Sequence, residues 1–263
     1  MLPAPKGIYQ TVMNLEFFKD GPALIIEGEQ RLLIVADLHF GIEADLAAHG
    51  LHFRSRSAER VERLLKIIDT ADPDMLILLG DVKHSIPSLS RQEFNELPGI
   101  LEAIRSRIPM KVFPGNHDIG IERYLNSSEI QQKDGAVIDG VGYLHGHTYP
   151  SPLLTGHLMV IGHHHPQLSL KDEVGCALQA PAYLRAGLDM ERLGLAADPE
   201  FATPTRVLFM PSFNEIAGYD IFRIIDNPFS PLSRYMKKEE AEIILADGTY
   251  IGPFSSLQPD ETD

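Results

Sequence analysis

The sequence predicts an α/β fold in which two β-sheets face each other. Two features indicate it: short apolar runs alternate with segments of helical periodicity up to residue 135, and hairpin signals take over after that point. Each apolar run ends in a burst of Asp, His, Asn and Gly. Five such runs follow one another along the chain: RLLIVADLHFG (31–41), DMLILLGDVKH (74–84), MKVFPGNHD (110–118), VGYLHGH (141–147) and LMVIGHHHP (158–166).

The apolar part of each run predicts a β-strand. These runs are short and hydrophobic without alternation, which is typical of strands that are buried on both faces. Between the first two runs, four apolar residues recur at helical spacing: Val61, Leu64, Leu65 and Ile68. Between the next two, SRQE (90–93) matches a capping box, and Pro98 with Gly99 predicts a kinked or split helix after it. Strands that alternate with helices indicate βαβ units around a parallel or mixed sheet.

The second half of the chain predicts a second sheet. VIDGVGYL (137–144) carries an Asp-Gly turn signal between apolar runs, and LSLKDEVGCALQ (168–179) is typical of another hairpin. TRVLFM (205–210) and YDIFRII (219–225) extend the β pattern. From residue 227 onward we expect short appended elements and a frayed acidic terminus.

Composition limits the cellular compartments and the substrates that are compatible with the sequence. No apolar run is long enough to span a bilayer, and MLPAPKGIYQ at the start lacks the pattern of a secretory signal. The single cysteine, Cys176, excludes a disulfide within the chain, so we expect a cytoplasmic protein with a structural thiol rather than a nucleophile. The formal net charge of −14 opposes sequence-independent binding of a nucleic-acid backbone. A polyanionic substrate would therefore need a local positive centre.

Some chemistries lack the residues that they require. The chain has no G-x-x-x-x-G-K-[ST] loop and no G-x-S-x-G elbow, which argues against P-loop nucleotide hydrolysis and serine acyl transfer. The polar bursts favour a metal site instead, because ligands of α/β sheets sit at the carboxyl ends of strands. Asp37 and His39 are two residues apart, so both side chains lie on the same side of an extended segment.

Oxygen and imidazole groups dominate the bursts, without thiolate, which suits manganese, iron, zinc or a similar divalent ion. The candidate metal ligands are Asp37, His39, Asp81, Asn116, His145, His163 and His165. This set exceeds the needs of one tetrahedral ion. Two ions about 3.5 to 4 Å apart that share one carboxylate would use all of it.

The motifs DLHFG, GDVKH, GNHD, HGH and GHHHP, in this order and spacing, resemble the calcineurin-like metallophosphoesterase superfamily. Within it they are most similar to the SbcD-related branch, which includes archaeal proteins and the DNA-ligase-associated phosphoesterases. The resemblance covers residues 13–225 and implies a four-layer α/β/β/α sandwich of two mixed β-sheets. We predict that residues 1–226 form the phosphoesterase domain and that residues 227–263 form a C-terminal extension, packed on it or trailing from it.

The resemblance also implies a role for each matched residue. Asp37, His39 and His165 would bind the first ion, and Asn116, His145 and His163 the second, with Asp81 bridging both. A water or hydroxide between the ions would attack phosphorus. His117 would stabilise the developing charge and help to protonate the leaving oxygen, and Asp118 would orient its ring.

Three histidines near these motifs have less defined roles. His84, in GDVKH, is a candidate hydrogen-bond partner of a metal ligand or of the substrate phosphate. His147, the second histidine of HGH, lies near the phosphate or is exposed. His164 points away from its two neighbours in an extended segment, so we expect that it is not a ligand.

Four arginines follow the first polar burst and have two interpretations. They can form a phosphate-facing patch, with Arg54 as a candidate substrate contact. Alternatively, they line a solvated helix face and pair with Glu59 and Glu62. The four are Arg54, Arg56, Arg60 and Arg63.

The leading hypothesis is a metal-dependent phosphodiesterase, with manganese as the first choice of metal and iron, nickel or zinc as alternatives. The resemblance suggests DNA or RNA ends or nucleotides as substrates, linked to DNA repair. A non-catalytic scaffold that recruits a repair helicase or ligase is the alternative from another class. A phosphomonoesterase or cyclic nucleotide phosphodiesterase is the alternative among enzymes. The sequence leaves the oligomeric state and the physiological substrate open.

Overall fold

The computed structural model describes residues 14–18, 20–171, 177–195 and 204–257. Its first sheet has five strands in the order β1-β2-β3-β4-β5. The last three strands run parallel, and β1 and β2 extend the sheet by antiparallel pairing. These strands are β1 Asn14–Phe17, β2 Leu24–Glu27, β3 Arg31–Val35, β4 Met75–Leu78 and β5 Met110–Val112.

The second sheet has nine strands and is also mixed. Its strands are β6 Ala136–Ile138, β7 Val141–Leu144, β8 Leu158–Ile161, β9 Pro166–Lys171, β10 Ala177–Leu188, β11 Arg206–Phe209, β12 Tyr219–Asp220, β13 Met236–Leu245 and β14 Tyr250–Pro253. The main order is β12-β9-β10-β11-β8-β7-β6, and β13 joins β10 and β14. At its centre, β7, β8 and β11 run parallel.

Helices cover the outer face of each sheet. The α-helices are α1 Ile42–Ala48, α2 Ser57–Ala71, α3 Arg91–Arg105, α4 Ile221–Asp226 and α5 Pro231–Arg234. One apolar cluster joins α2 and α3 to the first sheet, another joins α4 and α5 to the second, and a third lies between the sheets. The predicted four-layer α/β/β/α sandwich of two mixed sheets is therefore confirmed. None of the helices in the described residues is both long and apolar enough to cross a membrane.

The strands of the first sheet are buried on both faces, as their continuous hydrophobicity predicts. In β2, Ile25 packs toward the helices, whereas Leu24 and Ile26 pack toward the second sheet. In β3, Leu33 packs toward the helices and Ile34 toward the second sheet. Full burial of each such side chain contributes about 1.5–3 kcal/mol. This double burial holds the carboxyl ends of the strands at fixed positions.

The predicted split of the helix after residue 90 is wrong, because α3 is one helix with Pro98 inside it, whereas the predicted kink stays a prediction. The capping box at its start is present, with Glu93 N donating to the Ser90 hydroxyl. Pro98 and Gly99 lie on the exposed face, where water can bond to the carbonyl that the proline leaves unpaired. The opposite face is anchored in the core by Leu97, Ile100, Leu101 and Ile104.

YDIFRII is mostly helical, contrary to the β prediction. Only Tyr219 and Asp220 are in a strand, and α4 follows directly. The Asp220 side chain caps α4 by accepting a hydrogen bond from Phe222 N at 2.9 Å. Helical spacing then buries Ile221, Ile224 and Ile225 against the second sheet.

The tail contains more regular structure than the short elements predicted for it. β13 is ten residues long and pairs with β10 between Ala182 and Leu188. The hairpin predicted at 168–179 has its two strands, β9 and β10, in antiparallel register. Its turn and Cys176 lie outside the described residues. The division at residue 226 stays a prediction.

A buried arginine ties the helical layer to the loop after β11. Arg60 of α2 has a fully buried side chain, and its Nη2 lies 3.2 Å from Glu43 Oε1 and 3.1 Å from Glu215 Oε1. Arg63 lies over the Phe213 ring, 4.3 Å from its centroid. The pairing expected with Glu59 and Glu62 is therefore wrong for Arg60, because its partners are remote in sequence.

We expect Arg60→Ala to lower the free energy of unfolding by about 3–5 kcal/mol, because it leaves Glu43 buried without its cation. Urea denaturation would measure the change. The matched control is Arg107→Ala, which breaks an exposed pair with Asp69 and should cost at most about 1 kcal/mol. Equal effects of the two substitutions would contradict the structural role of Arg60.

Candidate metal centre

The predicted metal ligands meet at one end of the two sheets. Asp37, Asp81 and Asn116 follow β3, β4 and β5 of the first sheet. The remaining three histidines at strand ends come from the second sheet, where they follow β7 and β8: His145, His163 and His165. The carboxyl ends of parallel strands meet at the same edge of a sheet, so facing sheets bring both groups to one place.

One group of ligand atoms surrounds His39 and His165. One ligand atom from each of Asp37, His39, Asp81 and His165 lies within 4.8 Å of the other three. The two Nε2 atoms of His39 and His165 are 3.3 Å apart. His165 Nε2 is also 3.3 Å from Asp37 Oδ1.

A second group shares Asp81 with the first. Ligand atoms of Asp81, His145 and His163 also lie within 4.8 Å of one another. His145 Nε2 is 3.5 Å from Asp81 Oδ2 and 3.3 Å from Asn116 Oδ1. Six of the seven predicted ligands thus lie in two adjoining groups that share Asp81, and Asn116 lies beside the second group. Ligand atoms of His39, His84 and His117 form a third set within 4.8 Å of one another.

Left-handed backbone conformations position five of these side chains. Such φ values are uncommon for residues other than glycine, cost about 1–3 kcal/mol each and are concentrated at functional sites. The five are Asp37 (φ 57°), His39 (φ 44°), Asp81 (φ 45°), His163 (φ 70°) and His165 (φ 47°). The extended segment assumed for Asp37 and His39 is therefore wrong, because turns bring these side chains together.

Two glycines allow the motif loops to approach each other. A Cβ atom at Gly115 would overlap the Asp81 carboxylate, and one at Gly162 would lie 2.8 Å from Asp37 Oδ2. Each glycine directly precedes a candidate ligand, Asn116 or His163. The glycine of GNHD is thus needed for close packing between two loops of the first sheet, and the glycine of GHHHP for packing between loops of different sheets.

The loop after β11 supports the first motif, a contact that no sequence pattern indicated. The Ser212 hydroxyl donates to the Asp37 carbonyl at 2.7 Å, and Asn214 Nδ2 donates to the Leu38 carbonyl at 3.0 Å. Phe213 N donates to the Ala36 carbonyl at 2.9 Å. These bonds satisfy backbone groups that the left-handed turns remove from regular pairing.

Burial governs the protonation of the imidazoles. It lowers the pKa of His39 well below its usual value, with the neighbouring His165 acting in the same direction. Burial and the nearby His145 likewise lower the pKa of His163. For His145, burial opposes the charge, but Asp81 outweighs it and raises the pKa to about 9. The same attraction lowers the pKa of Asp81 although burial acts against its charge.

This donor set fits divalent metal ions. The imidazole nitrogens of His39 and His165 face each other beside two buried carboxylates, Asp37 and Asp81. A cation between them would satisfy all four groups, and the lowered pKa of His39 favours its neutral imidazole, which is the form that metals bind. The absence of thiolate from the two groups favours ions that accept oxygen and nitrogen ligands.

His117 lies at the edge of the first group, but its ring is oriented differently from the prediction. Its Nδ1 is hydrogen-bonded to the His84 carbonyl, and its backbone N donates to Asp81 Oδ1 at 2.9 Å. The Asp118 oxygens accept from Gly115 N, Val82 N and Lys83 N. Asp118 therefore holds two motif loops together, and the His84 carbonyl orients the ring.

His84 contacts a candidate metal ligand. Its Nδ1 is 3.1 Å from His39 Nδ1, and its ring stacks on His117 with centroids 5.1 Å apart. Because one of the two Nδ1 atoms must donate, the contact links the tautomers of His84 and His39. Glu93 fixes this loop by accepting from His84 N and Ser85 N.

Residues 30–172 match the sequence model of the calcineurin-like phosphoesterase family, and this stretch is more than half of the 263-residue chain. The chain belongs to that family. As a calcineurin-like phosphoesterase, it is a hydrolase of phosphoesters, and the two groups of ligand atoms are its candidate divalent metal centre.

Two solved structures were compared with this phosphoesterase. Nuclease MPE from Pseudomonas putida is 19% identical over 90% of this chain and 99% of that chain, with a TM-score of 0.52. YfcE, a phosphoesterase from E. coli, is 18% identical over 54% of this chain and 73% of that chain, with a TM-score of 0.35. The first likeness agrees with the fold described above.

The remaining residues with a predicted role in this phosphoesterase are His147 and Arg54, whereas His164 is predicted not to be a ligand. His147 is half-buried beside His145, with ring centroids 5.1 Å apart, and its buried Nδ1 has no hydrogen-bond partner among the described residues. Arg54 is exposed and makes no hydrogen bond or ion pair within the described part of the chain. His164 is fully buried, bonds to the Ser230 hydroxyl at 2.8 Å and belongs to neither group of ligand atoms.

Proposed function

We propose that this chain is a metal-dependent phosphodiesterase with a dinuclear centre. The observation that carries the proposal is the position of Asp81, whose carboxylate belongs to both groups of donor atoms. A shared carboxylate is what two adjacent ions require. Family membership supports phosphoester hydrolysis, and the two groups supply enough donors for a pair of ions.

We assign each proposed ligand to one of the two ions. Asp37, His39 and His165 would hold the first ion, whereas Asn116, His145 and His163 would hold the second. Divalent ions bound there supply Lewis acids for the phosphoryl oxygens and lower the pKa of water. We propose manganese, with iron, nickel or zinc as alternatives, since all accept mixed oxygen and imidazole donors.

His117 would face the substrate phosphate rather than a metal ion. Its Nδ1 is engaged by the His84 carbonyl, which leaves Nε2 for the substrate. A neutral His117 that donates from Nδ1 would accept at Nε2, whereas the protonated ring would donate there to the leaving oxygen.

We infer a diester substrate with a nucleotide component. The motif order resembles the SbcD-related, ligase-associated branch, and the neighbour that spans 90% of this chain is called a nuclease, a class that acts on phosphodiesters. The net charge of −14 disfavours a long duplex and favours ends, short single strands or nucleotides. We also propose that residues 227–263 belong to the same domain, since β13 pairs with β10.

The scaffold alternative is weaker. A scaffold has no need for five strained, left-handed donor residues at a buried centre, and each costs about 1–3 kcal/mol. Recruitment of a repair helicase or ligase remains compatible with catalysis.

The direct test is hydrolysis of bis-p-nitrophenyl phosphate against p-nitrophenyl phosphate after the protein is stripped of metal and reloaded. We expect diester cleavage that requires manganese or another transition metal. Preference for the monoester would assign the alternative phosphomonoesterase activity. A folded, metal-loaded protein without turnover of either ester would contradict the proposed enzyme class.

We expect metal binding to release about one proton per chain at pH 7.5. Because the pKa of His145 is raised to about 9, this imidazole is protonated in the metal-free protein and must lose its proton to become a ligand. Release should decline as the pH rises through 9. Calorimetric titrations in buffers of different ionisation enthalpy measure it, and an enthalpy independent of the buffer would contradict the assignment of His145.

A further inference from the structure

Two exposed aromatic rings lie beside the candidate metal centre. Phe229 is 42% exposed and Tyr219 is 39% exposed. Their ring centroids are 5.5 Å apart, in an edge-to-face arrangement. The Phe229 ring also contacts His163, a proposed metal ligand, with centroids 5.5 Å apart. The pair thus forms a wall next to the place proposed for the phosphate.

Separate contacts hold each ring at this position. Tyr219 N donates to the His165 carbonyl at 2.8 Å, so the backbone of Tyr219 is fixed to the GHHHP segment. Phe229 directly precedes Ser230, whose hydroxyl bonds to the buried His164 and accepts from Ser233 N at the start of α5. The backbone at both residues is therefore anchored beside the candidate metal centre, which lowers the entropy cost of placing the rings for binding.

Three rings contact Phe229 without enclosing it. The His164 ring lies 4.8 Å away at an angle of 31°, and His163 and Tyr219 meet the ring at 62° and 71°. With these contacts in place, 42% of Phe229 remains exposed. A flat ligand group can therefore stack on it.

We propose that Phe229 and Tyr219 form a stacking platform for a nucleobase of the substrate, next to the scissile phosphate. The inference rests on the proposed phosphodiesterase function and specifies its substrate as a nucleotide ester. Aromatic stacking holds bases without regard to sequence, because every base has a π-face. It also gives affinity without added positive charge, which suits a chain of net charge −14.

A binding experiment can use the absence of tryptophan from this chain, since Phe229→Trp introduces a single reporter. The reporter is placed in a His117→Ala background to slow cleavage, and the metal-loaded protein is titrated with short oligothymidylate. We expect saturable quenching that an abasic phosphodiester of equal length does not cause. Thymidine 5′-monophosphate as a third probe separates nucleotide from strand recognition.

The matched control for the reporter is Phe94→Trp. Phe94 is 65% exposed on α3 and has no ring contact with a candidate ligand in the described residues. Its fluorescence should not respond to oligothymidylate. Equal responses of the Phe229→Trp reporter to oligothymidylate and to the abasic diester, or no response, would overturn the platform.

Kinetic measurements distinguish stacking of a base on Phe229 from a purely structural contact between Phe229 and His163. Thymidine 5′-(p-nitrophenyl phosphate) is compared with its abasic analogue, which has the same leaving group. In Phe229→Leu, which keeps an apolar contact with the histidines, the ratio of the two kcat/KM values should fall about tenfold. A structural role would lower both values and leave the ratio unchanged, which would overturn the proposal.

The outcomes also separate this inference from the proposed function. If the wild-type protein cleaves bis-p-nitrophenyl phosphate but the reporter is silent, the platform fails and the phosphodiesterase stands. If the reporter responds to oligothymidylate but no ester is cleaved, the platform stands and the phosphodiesterase fails.

Discussion

Asp81→Asn is expected to reduce phosphodiester hydrolysis below detection and to lower the metal content of the protein. Asn keeps the shape of the side chain, and its carbonyl oxygen can still accept from His117 N, but it lacks the negative charge that both ions would share. Initial rates with bis-p-nitrophenyl phosphate and elemental analysis of the purified variant measure the two effects. Circular dichroism checks that the fold is retained.

The control for this substitution is Asp69→Asn, which changes an exposed carboxylate on α2. It should retain both activity and metal. Asp81→Asn with full metal content and a normal rate would exclude Asp81 as the shared ligand and remove the main support for a dinuclear centre.

His117→Ala is expected to lower kcat by about 10²–10⁴-fold while the metal content stays unchanged. The ring lies outside the two groups of proposed ligands, and its loss leaves the backbone bond to Asp81 in place. The defect should be larger for a diester with an alkyl leaving group than for one that releases p-nitrophenol, because a poor leaving group depends more on proton donation.

His49→Ala serves as the control, since His49 is exposed on the helical side and belongs to no group of ligand atoms in the described residues. Equal defects with both leaving groups would limit His117 to charge stabilisation. Loss of metal from His117→Ala would make this residue a ligand and overturn its proposed role.

The sequence predicted the layers and the candidate site because both depend on strand ends. Runs such as RLLIVADLHFG combine a strand that is buried on both faces with a polar terminus. Each motif therefore predicts that its polar residues lie at the carboxyl end of a strand. The order of five motifs then predicted which side chains meet. In the structure six of the seven proposed ligands lie in two groups that share Asp81, and Asn116 Oδ1 lies 3.3 Å from His145 Nε2.

Other features depend on contacts between remote parts of the chain. Glu215 pairs with Arg60 across 155 positions, and Ser230 bonds to His164 across 66 positions. No local pattern marks such pairs. The helix that begins at Ile221 was not predicted because its six residues are too few to show helical periodicity. The Asp220 side chain stabilises its start by capping it. The positive φ angles of Asp37 and His39 also bring these side chains together, whereas the sequence predicted an extended segment.

The proposed ligands come from two sheets that are distant in the chain. Asp37, Asp81 and Asn116 belong to the first sheet, whereas His145 and His163 belong to the second. In the proposed set neither ion has all its ligands on one side, so loading requires that both halves of the molecule have already docked. Ions held there would link the two sheets across the central apolar layer and stabilise the folded state. A chain stalled with its sheets apart would bind metal weakly, which makes metal retention a reporter of completed assembly.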